Sequence, residues 1–384
     1  MKILLINEVC GRTSTGRICA EIAAHYEAAG HKVKIAYGRN RDVPAWCEKY
    51  AVRIGNDFSV YAHALYTRLL DRHGFGSRSA TKRFVIWAEN YNPDMIWLHN
   101  LHGYYLNMEI LFGWLKKKTH AEIRWTLHDC WPITGHCAFF SAVRCEKWKT
   151  GCFQCPQRKE YPKSLFLDYS EKNFRKKREL FTGIKNMTVI VPSNWLADIA
   201  GQSILREYPI RVQYHKIDRN IFYPAKSRIR EIYHLSGKKI ILGVANVWEK
   251  RKGLDDFTEL ARMLDESFAV LLVGLSRKQI KKLPANIIGL ERTADAEVLA
   301  GLYSASDIYI NASREETFGM TTLEAISCGT KVIVYKGTAC EEILKQYENC
   351  GLAVEPGAEN LKKGIRILLK DAEEKHRRET VETS

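Results

Sequence analysis

The sequence predicts an α/β protein built from two doubly wound, parallel-sheet domains. Three observations lead there. Strand-length apolar runs alternate with longer segments of helical character through both halves of the chain. The 384 residues exceed what one hydrophobic core usually sustains. Midway, Tyr214-His-Lys-Ile-Asp-Arg-Asn-Ile-Phe-Tyr-Pro224 breaks the alternation. Residues 1–220 and 221–384 are therefore expected to form separate Rossmann-like domains, with their binding loops facing one another across a cleft.

In the first half, strands are expected at Ile3–Ile6, Val33–Tyr37, Met95–Leu98, Ile123–Leu127 and Val189–Val191. The second half repeats the pattern at Ile240–Ala245, Ala269–Val273, Ile287–Leu290, Ile308–Ile310 and Val332–Val334, with helices near Asp255–Leu264 and Asp295–Leu302. No run approaches the roughly 20 apolar residues of a membrane span. Met1-Lys-Ile-Leu-Leu-Ile-Asn-Glu8 lacks the features of a signal peptide, so the cytoplasm is the expected compartment. Eleven cysteines without a secretory signal are expected as reduced thiols. The net charge of +15 is uneven, with thirty basic against eighteen acidic residues in 1–199 and twenty-nine against twenty-six in 200–384. Charge alone gives little support to a nucleic-acid role, and none is expected.

The most informative segment is Ser313-Arg-Glu-Glu-Thr-Phe-Gly-Met-Thr-Thr-Leu-Glu-Ala-Ile-Ser-Cys-Gly-Thr330. It places Glu316 and Glu324 about a strand-to-helix loop, where free N–H groups attract phosphate and carboxylates accept hydrogen bonds from vicinal hydroxyls. Thr321-x-x-Glu324 also has capping-box spacing, so two readings of Glu324 stand. Upstream, Lys250-Arg-Lys252-Gly253 follows a strand and offers cations to a diphosphate, or forms a solvated charge run. Gly11-Arg-Thr-Ser-Thr-Gly16-Arg17 has the glycine spacing of a phosphate loop, but Arg17 and Ile18 stand where lysine and a hydroxyl are required. A nucleoside triphosphatase is thereby disfavoured; the loop is either a tight turn or a loop near the donor diphosphate or acceptor.

These motifs carry a resemblance. Glu316, Phe318-Gly319, Leu323-Glu324-Ala325 and Cys328-Gly-Thr330 resemble the Glu-x7-Glu signature of retaining, GT-B-fold glycosyltransferases of family 4, which build bacterial capsule, exopolysaccharide and colanic-acid-type chains. The resemblance implies that Glu316 contacts the donor sugar, that Glu324 holds the ribose, and that the amides of Phe318, Gly319 and Met320 lie near sugar and diphosphate. It also implies that Lys252, with Arg251 beside it, neutralises the diphosphate, and that His128 of Thr126-Leu-His-Asp129 faces the sugar. His99 and His102 are secondary candidates, and Gly11 and Gly16 belong to the acceptor side. The implied reaction moves a hexose-type sugar from a UDP- or GDP-sugar to a glycan or lipid-linked acceptor, with no cofactor needed for catalysis. A sugar-nucleotide 2-epimerase and a non-catalytic sugar-nucleotide-binding protein are the alternatives.

The chain departs from the family in its linker, in Lys331 after Thr330, and in a C-terminal stretch read as lacking the full crossover helix. A Cys-rich insertion near 130–160 carries Cys137, Cys145, Cys152 and Cys155, which suit a structural zinc site or a set of buried free thiols, with His136 or Cys130 as substitute ligands. Basic-aromatic stretches at 111–118 and 163–178 raise the expectation of peripheral contact with the inner face of the membrane.

Overall fold

The computed structural model describes residues 1–39, 42–293 and 295–382, with side chains to Asp371. The chain divides into two compact units, Met1–Gln213 and Tyr214–Ser384. The sequence-based boundary near 220 falls inside a segment that packs with the second unit, where Phe222 is buried beside Tyr303.

The first unit holds a seven-stranded parallel sheet in the order β3-β2-β1-β4-β5-β6-β7. Its strands are β1 (Lys2–Asn7), β2 (Lys32–Tyr37), β3 (Ala51–Arg53), β4 (Met95–Leu98), β5 (Glu122–Thr126), β6 (Met187–Val191) and β7 (Ile210–Val212). The second unit holds a six-stranded parallel sheet, β10-β9-β8-β11-β12-β13. Here the strands are β8 (Lys239–Val244), β9 (Phe268–Val273), β10 (Ile287–Leu290), β11 (Ile308–Asn311), β12 (Lys331–Tyr335) and β13 (Gly351–Val354). Central strands such as Ile3–Ile6, Met95–Leu98 and Ile308–Asn311 are buried throughout, as expected where helices cover both faces of a parallel sheet.

Every expected strand is present, and β3, β7 and β13 add edges. In both sheets the strand order reverses beside the first strand, between β1 and β4 and between β8 and β11. Crossovers leave in opposite directions there, which opens a crevice at the carboxyl ends of those strands.

The first unit is packed around aromatic rings: Phe112 and Phe181 lie 4.3 Å apart, and Trp125 meets Phe181 edge-on at 5.0 Å. Leu111, Phe112, Trp114 and Leu115 are all buried, so the 111–118 stretch is core and not a membrane surface. Lysines at its end merely flank a buried helix, Met108–Leu115. In the second unit Phe257 is fully buried beneath β8, with Trp248 edge-on at 5.5 Å. The terminal helix Ala358–Glu382 buries Leu361, Ile365 and Leu368 in the same core.

Phe257→Ala removes the ring that supports the floor of the β8 loop, and unfolding free energy is expected to fall by about 3–5 kcal/mol. Denaturant unfolding of the two proteins, compared at equal m, checks this.

Candidate active site

The loops at the reversal of the second sheet lie against one another. After β8 the chain runs through Ala245–Glu249 into a short turn, Lys250–Lys252, and then the helix Leu254–Met263. Gly253 joins turn to helix at φ +75°, and a Cβ there would stand 2.4 Å from the carbonyl oxygen of Ala312. Only glycine lets the β8 loop dock so closely on the end of β11. The Arg314 amide donates to the Arg251 carbonyl at 2.8 Å, and the Arg251 guanidinium donates to the Glu315 carbonyl at 3.4 Å. Arg314 is forked onto Asp256 at 2.8 and 3.1 Å, and Tyr335 donates to the same carboxylate at 2.8 Å.

This seam brings Lys252 and Glu316 together: the ammonium donates to Glu316 Oε2, and each side chain is about one-fifth exposed. Burial works to raise the carboxyl's pKa, but Lys252 and then Arg251 outweigh it and hold Glu316 below the usual carboxylate range. Glu316 is thus an ionised acceptor that still meets solvent. Lys252 is partnered by a carboxylate and is not part of a solvated charge run.

Phe318 is buried against Leu323 and Ile343, with His215 edge-on at 5.1 Å. Gly319 follows at φ +100°, where a Cβ would meet Cys340 Sγ at 2.5 Å, and it opens the helix Met320–Ser327. The first amides of that helix precede any intrahelical acceptor, so they point out of its amino end. Glu324 lies inside the helix, which settles its double reading. The N-cap is Gly319, without a side-chain cap, and Glu324 instead accepts from Tyr303 at 2.9 Å. Thr321 accepts from Tyr309 at 2.8 Å. The capping-box spacing is therefore incidental, and both glutamates stand beside one helix start.

In the first unit the loop after β1 is closely packed at both of its glycines. Gly11 has φ +66° and a Cβ would meet Pro44 at 2.9 Å, while Gly16, inside the helix Thr13–Ala28, packs against Val9. Both glycines serve close packing. The ends of β4 and β5 gather the histidines. His128 is half-buried and stacks on His99, with Nε2 of the former 3.0 Å from Nδ1 of the latter. Beneath them His102 Nε2 lies 2.6 Å from Asp129 Oδ2, and its Nδ1 lies 2.9 Å from the Tyr161 hydroxyl. Glu8, at the end of β1, lies 3.9 Å from His102 and is paired with Arg39.

Sequence reasoning missed Tyr303, Asp256, Glu8 and the role of Asp129. Glu8 had a weak signal, as the first charge after an apolar strand, whereas Tyr303 reads as an ordinary core residue.

Cys137, Cys145, Cys152 and Cys155 line one small pocket with His136 and Trp148. Among the described residues, no three His, Cys, Asp or Glu side chains already stand in a metal-holding arrangement.

The His102–Asp129 pair supplies a pH test. Burial works to lower the His102 pKa, but Asp129 outweighs it and raises the value above the ordinary 6.5. Asp129 is likewise opposed by burial and held low by His102. The histidine's contribution is complete below its ordinary value and fades as pH rises through the raised one; the aspartate's fades only as pH falls through its lowered value. Asp129→Asn is expected to destabilise by about 3–5 kcal/mol near pH 6, and by less once pH exceeds the raised His102 pKa. Paired denaturant titrations of both proteins across pH 5.5–9 check this.

Comparisons with known proteins agree with this geometry. Residues 225–383 match the family model Glycosyl transferases group 1. The chain is 27% identical over 294 residues to the putative colanic acid biosynthesis glycosyl transferase WcaC of Escherichia coli K12, covering 75% of this chain and 70% of that protein. Among solved structures, sucrose-phosphate synthase from Thermosynechococcus elongatus superposes with a TM-score of 0.68 at 17% identity, covering 96% of this chain and 90% of that one. Anabaena HepE in complex with UDP-glucose gives 0.64 at 16%, with 97% and 91% covered. The architecture is GT-B, and the match to the group 1 glycosyl transferase model falls within the second unit.

Proposed function

We propose that this chain is a retaining glycosyltransferase of family 4 that moves a hexose-type sugar from a UDP- or GDP-sugar to a glycan or lipid-linked acceptor in bacterial surface polysaccharide assembly. The observation that carries the reading is the Lys252–Glu316 pair at the reversal of the second sheet, beside the helix start that Glu324 shares. A nucleoside diphosphate sugar presents what this arrangement can hold. Its diphosphate meets Lys252, Arg251 and the amides of Phe318, Gly319 and Met320. Its sugar hydroxyls donate to Glu316, and its ribose hydroxyls donate to Glu324, which Tyr303 fixes in place.

As the glycosidic bond breaks, negative charge accumulates on the leaving diphosphate. Cations and helix amides held at the site by the fold stabilise that charge more than the ground state. These residues supply the leaving-group stabilisation, so catalysis requires no added cofactor. The acceptor is assigned to the first unit, with His128 oriented by His99 to bind hydroxyls or move a proton. Relatives support the direction of this reading. HepE was solved with UDP-glucose, and a relative in Mycobacterium tuberculosis, 23% identical over 172 residues, is named a GDP-mannose-dependent mannosyltransferase.

Contact with an anionic membrane surface fits the acceptor class. No described helix is long and apolar enough to cross a membrane. The helix Asp57–Leu70 nevertheless exposes Phe58, Tyr61 and Leu65, and the Leu165 amide, bonded to the Arg68 carbonyl at 2.8 Å, sets exposed Phe166 nearby. Exposed Arg68 and Lys163 flank these apolar groups. Rings beside cations suit the headgroup boundary.

A screen of UDP- and GDP-sugars, reading nucleoside diphosphate release with and without glycan acceptor, tests the reaction. Lys252→Ala and Glu316→Ala are each expected to lower kcat/KM by about 100-fold or more. Donor binding without turnover, unaffected by Glu316→Ala, would point to a binding protein; epimerised donor without transfer would point to an epimerase. For the surface, Phe58→Ser with Phe166→Ser should reduce co-sedimentation with phosphatidylglycerol vesicles several-fold and leave the circular dichroism spectrum unchanged. Equal binding of both proteins would remove that face from the proposal.

A further inference from the structure

Behind the histidines of the first unit lies a pocket that the transfer reaction does not use. Cys137, Cys145, Cys152 and Cys155 line it, with about 10 Å³ of room, less than a bound water usually requires. The chain is shaped to bring these thiols near. Gly135 passes so close to the following helix that a Cβ would stand 2.0 Å from the Ser170 carbonyl, and its amide donates to Cys152 Sγ at 3.2 Å.

Two further observations point to a polar or charged occupant of this wall. His136, also lining the pocket, is fully buried; its Nδ1 bonds Asp71 while its Nε2 has no partner. Asp71 is itself fixed, accepting from the Tyr169 amide at 2.8 Å, so the imidazole is held in one orientation with its second nitrogen unused. Lys177 is the other. Its ammonium is buried over the Trp131 ring at 3.5 Å and donates to the carbonyls of Trp131 and Thr134 at 2.6 and 2.9 Å, yet it makes no ion pair among the described residues. A buried cation served only by neutral carbonyls is costly unless negative charge lies close.

We propose that this pocket is a closed structural zinc site, with Cys137, Cys145, Cys152 and Cys155 as thiolate ligands and His136 Nε2 and Lys177 as its polar surroundings. Four thiolates on Zn²⁺ carry a net charge of −2, which adds to Asp71 and Asp129 as negative charge near buried Lys177 and gives the free imidazole nitrogen a sulfur to meet. The site would pin the Cys-rich insertion to the helix Ser170–Phe181, from which Lys177 projects. Its position in the core of the first unit, with no open coordination site, makes it structural and leaves transfer chemistry to the residues described above.

The test is metal content of the full chain, expressed in zinc-supplemented medium and purified without chelator. Elemental analysis should find about one zinc per chain. The cobalt-substituted protein should show the charge-transfer absorption of four thiolates. His136→Ala should weaken zinc affinity about 10- to 100-fold while keeping that spectrum, and Cys328→Ser, in the second unit, should leave metal content unchanged. Cys152→Ser and Cys155→Ser should lose the metal; if they do not fold, the wild-type zinc content and cobalt spectrum still decide. Zinc-free folded protein, a three-thiolate cobalt spectrum, or a Cys137–Cys155 disulfide in natively purified protein would overturn the assignment.

Discussion

The reversal of strand order beside β1 and beside β8 is the constraint from which the rest follows. A right-handed crossover can leave a parallel sheet toward either face, and where direction changes the two connecting loops must part. In the second unit that parting sets the β8 loop and the β11 loop side by side. Gly253 then allows them to touch, and the Arg251 and Arg314 contacts hold them in register. The same reversal in the first unit places Glu8, at the end of β1, near the histidines that follow β4. Functional side chains come from strands far apart in sequence but adjacent in the sheet.

Within that frame, charge is arranged in pairs whose members differ in freedom. Asp256 is buried, and Arg314 and Tyr335 fix its oxygens, so it serves the fold. Glu316 and Lys252 remain partly open to solvent and have each other as partners. Such a pair is poised for exchange: a dianionic ligand can take the ammonium, and hydroxyls can take the carboxylate. The energy of separating the two charges is offset because both are satisfied again by one ligand. Lys252 and Arg251 hold the Glu316 pKa low, so the acceptor is ionised before a ligand arrives.

Much of this was legible in the chain. Apolar runs three to six residues long marked every central strand, since strands buried on both faces leave no other composition. Of the four edge strands, β10 was marked by the run Ile287–Leu290, whereas β3, β7 and β13 were not, being partly exposed segments of three or four residues without a fully apolar run. Glu316 and Lys252 stood out by their place after strands. Glu324 was ambiguous because capping-box spacing recurs within helices, and only the position of Gly319 shows that the helix begins earlier. The stretch at 111–118 misled for a related reason. Apolar residues followed by lysines look alike whether a helix lies on a membrane or enters a core, and neighbours such as Phe181 decide.

Tyr303 shows what sequence cannot supply. It lies 21 residues before Glu324, in an apolar helix with nothing local to distinguish it, yet its hydroxyl fixes that carboxylate. Asp129 has the same relation to His102 in the first unit, and the His128–Asp129 neighbours divide the work between them. At the end of a strand successive side chains face opposite ways. One goes down to a buried partner and the other stays half-exposed on His99. The buried member fixes the backbone from below, and the exposed one gains a defined position without losing access. The two glutamates follow the same logic, with Glu324 tied to a core tyrosine and Glu316 held by a charge that a ligand can take. In each unit a group anchored in the core and a group open to exchange are set by adjacent backbone, so orientation at the site is inherited from packing and not from the ligand.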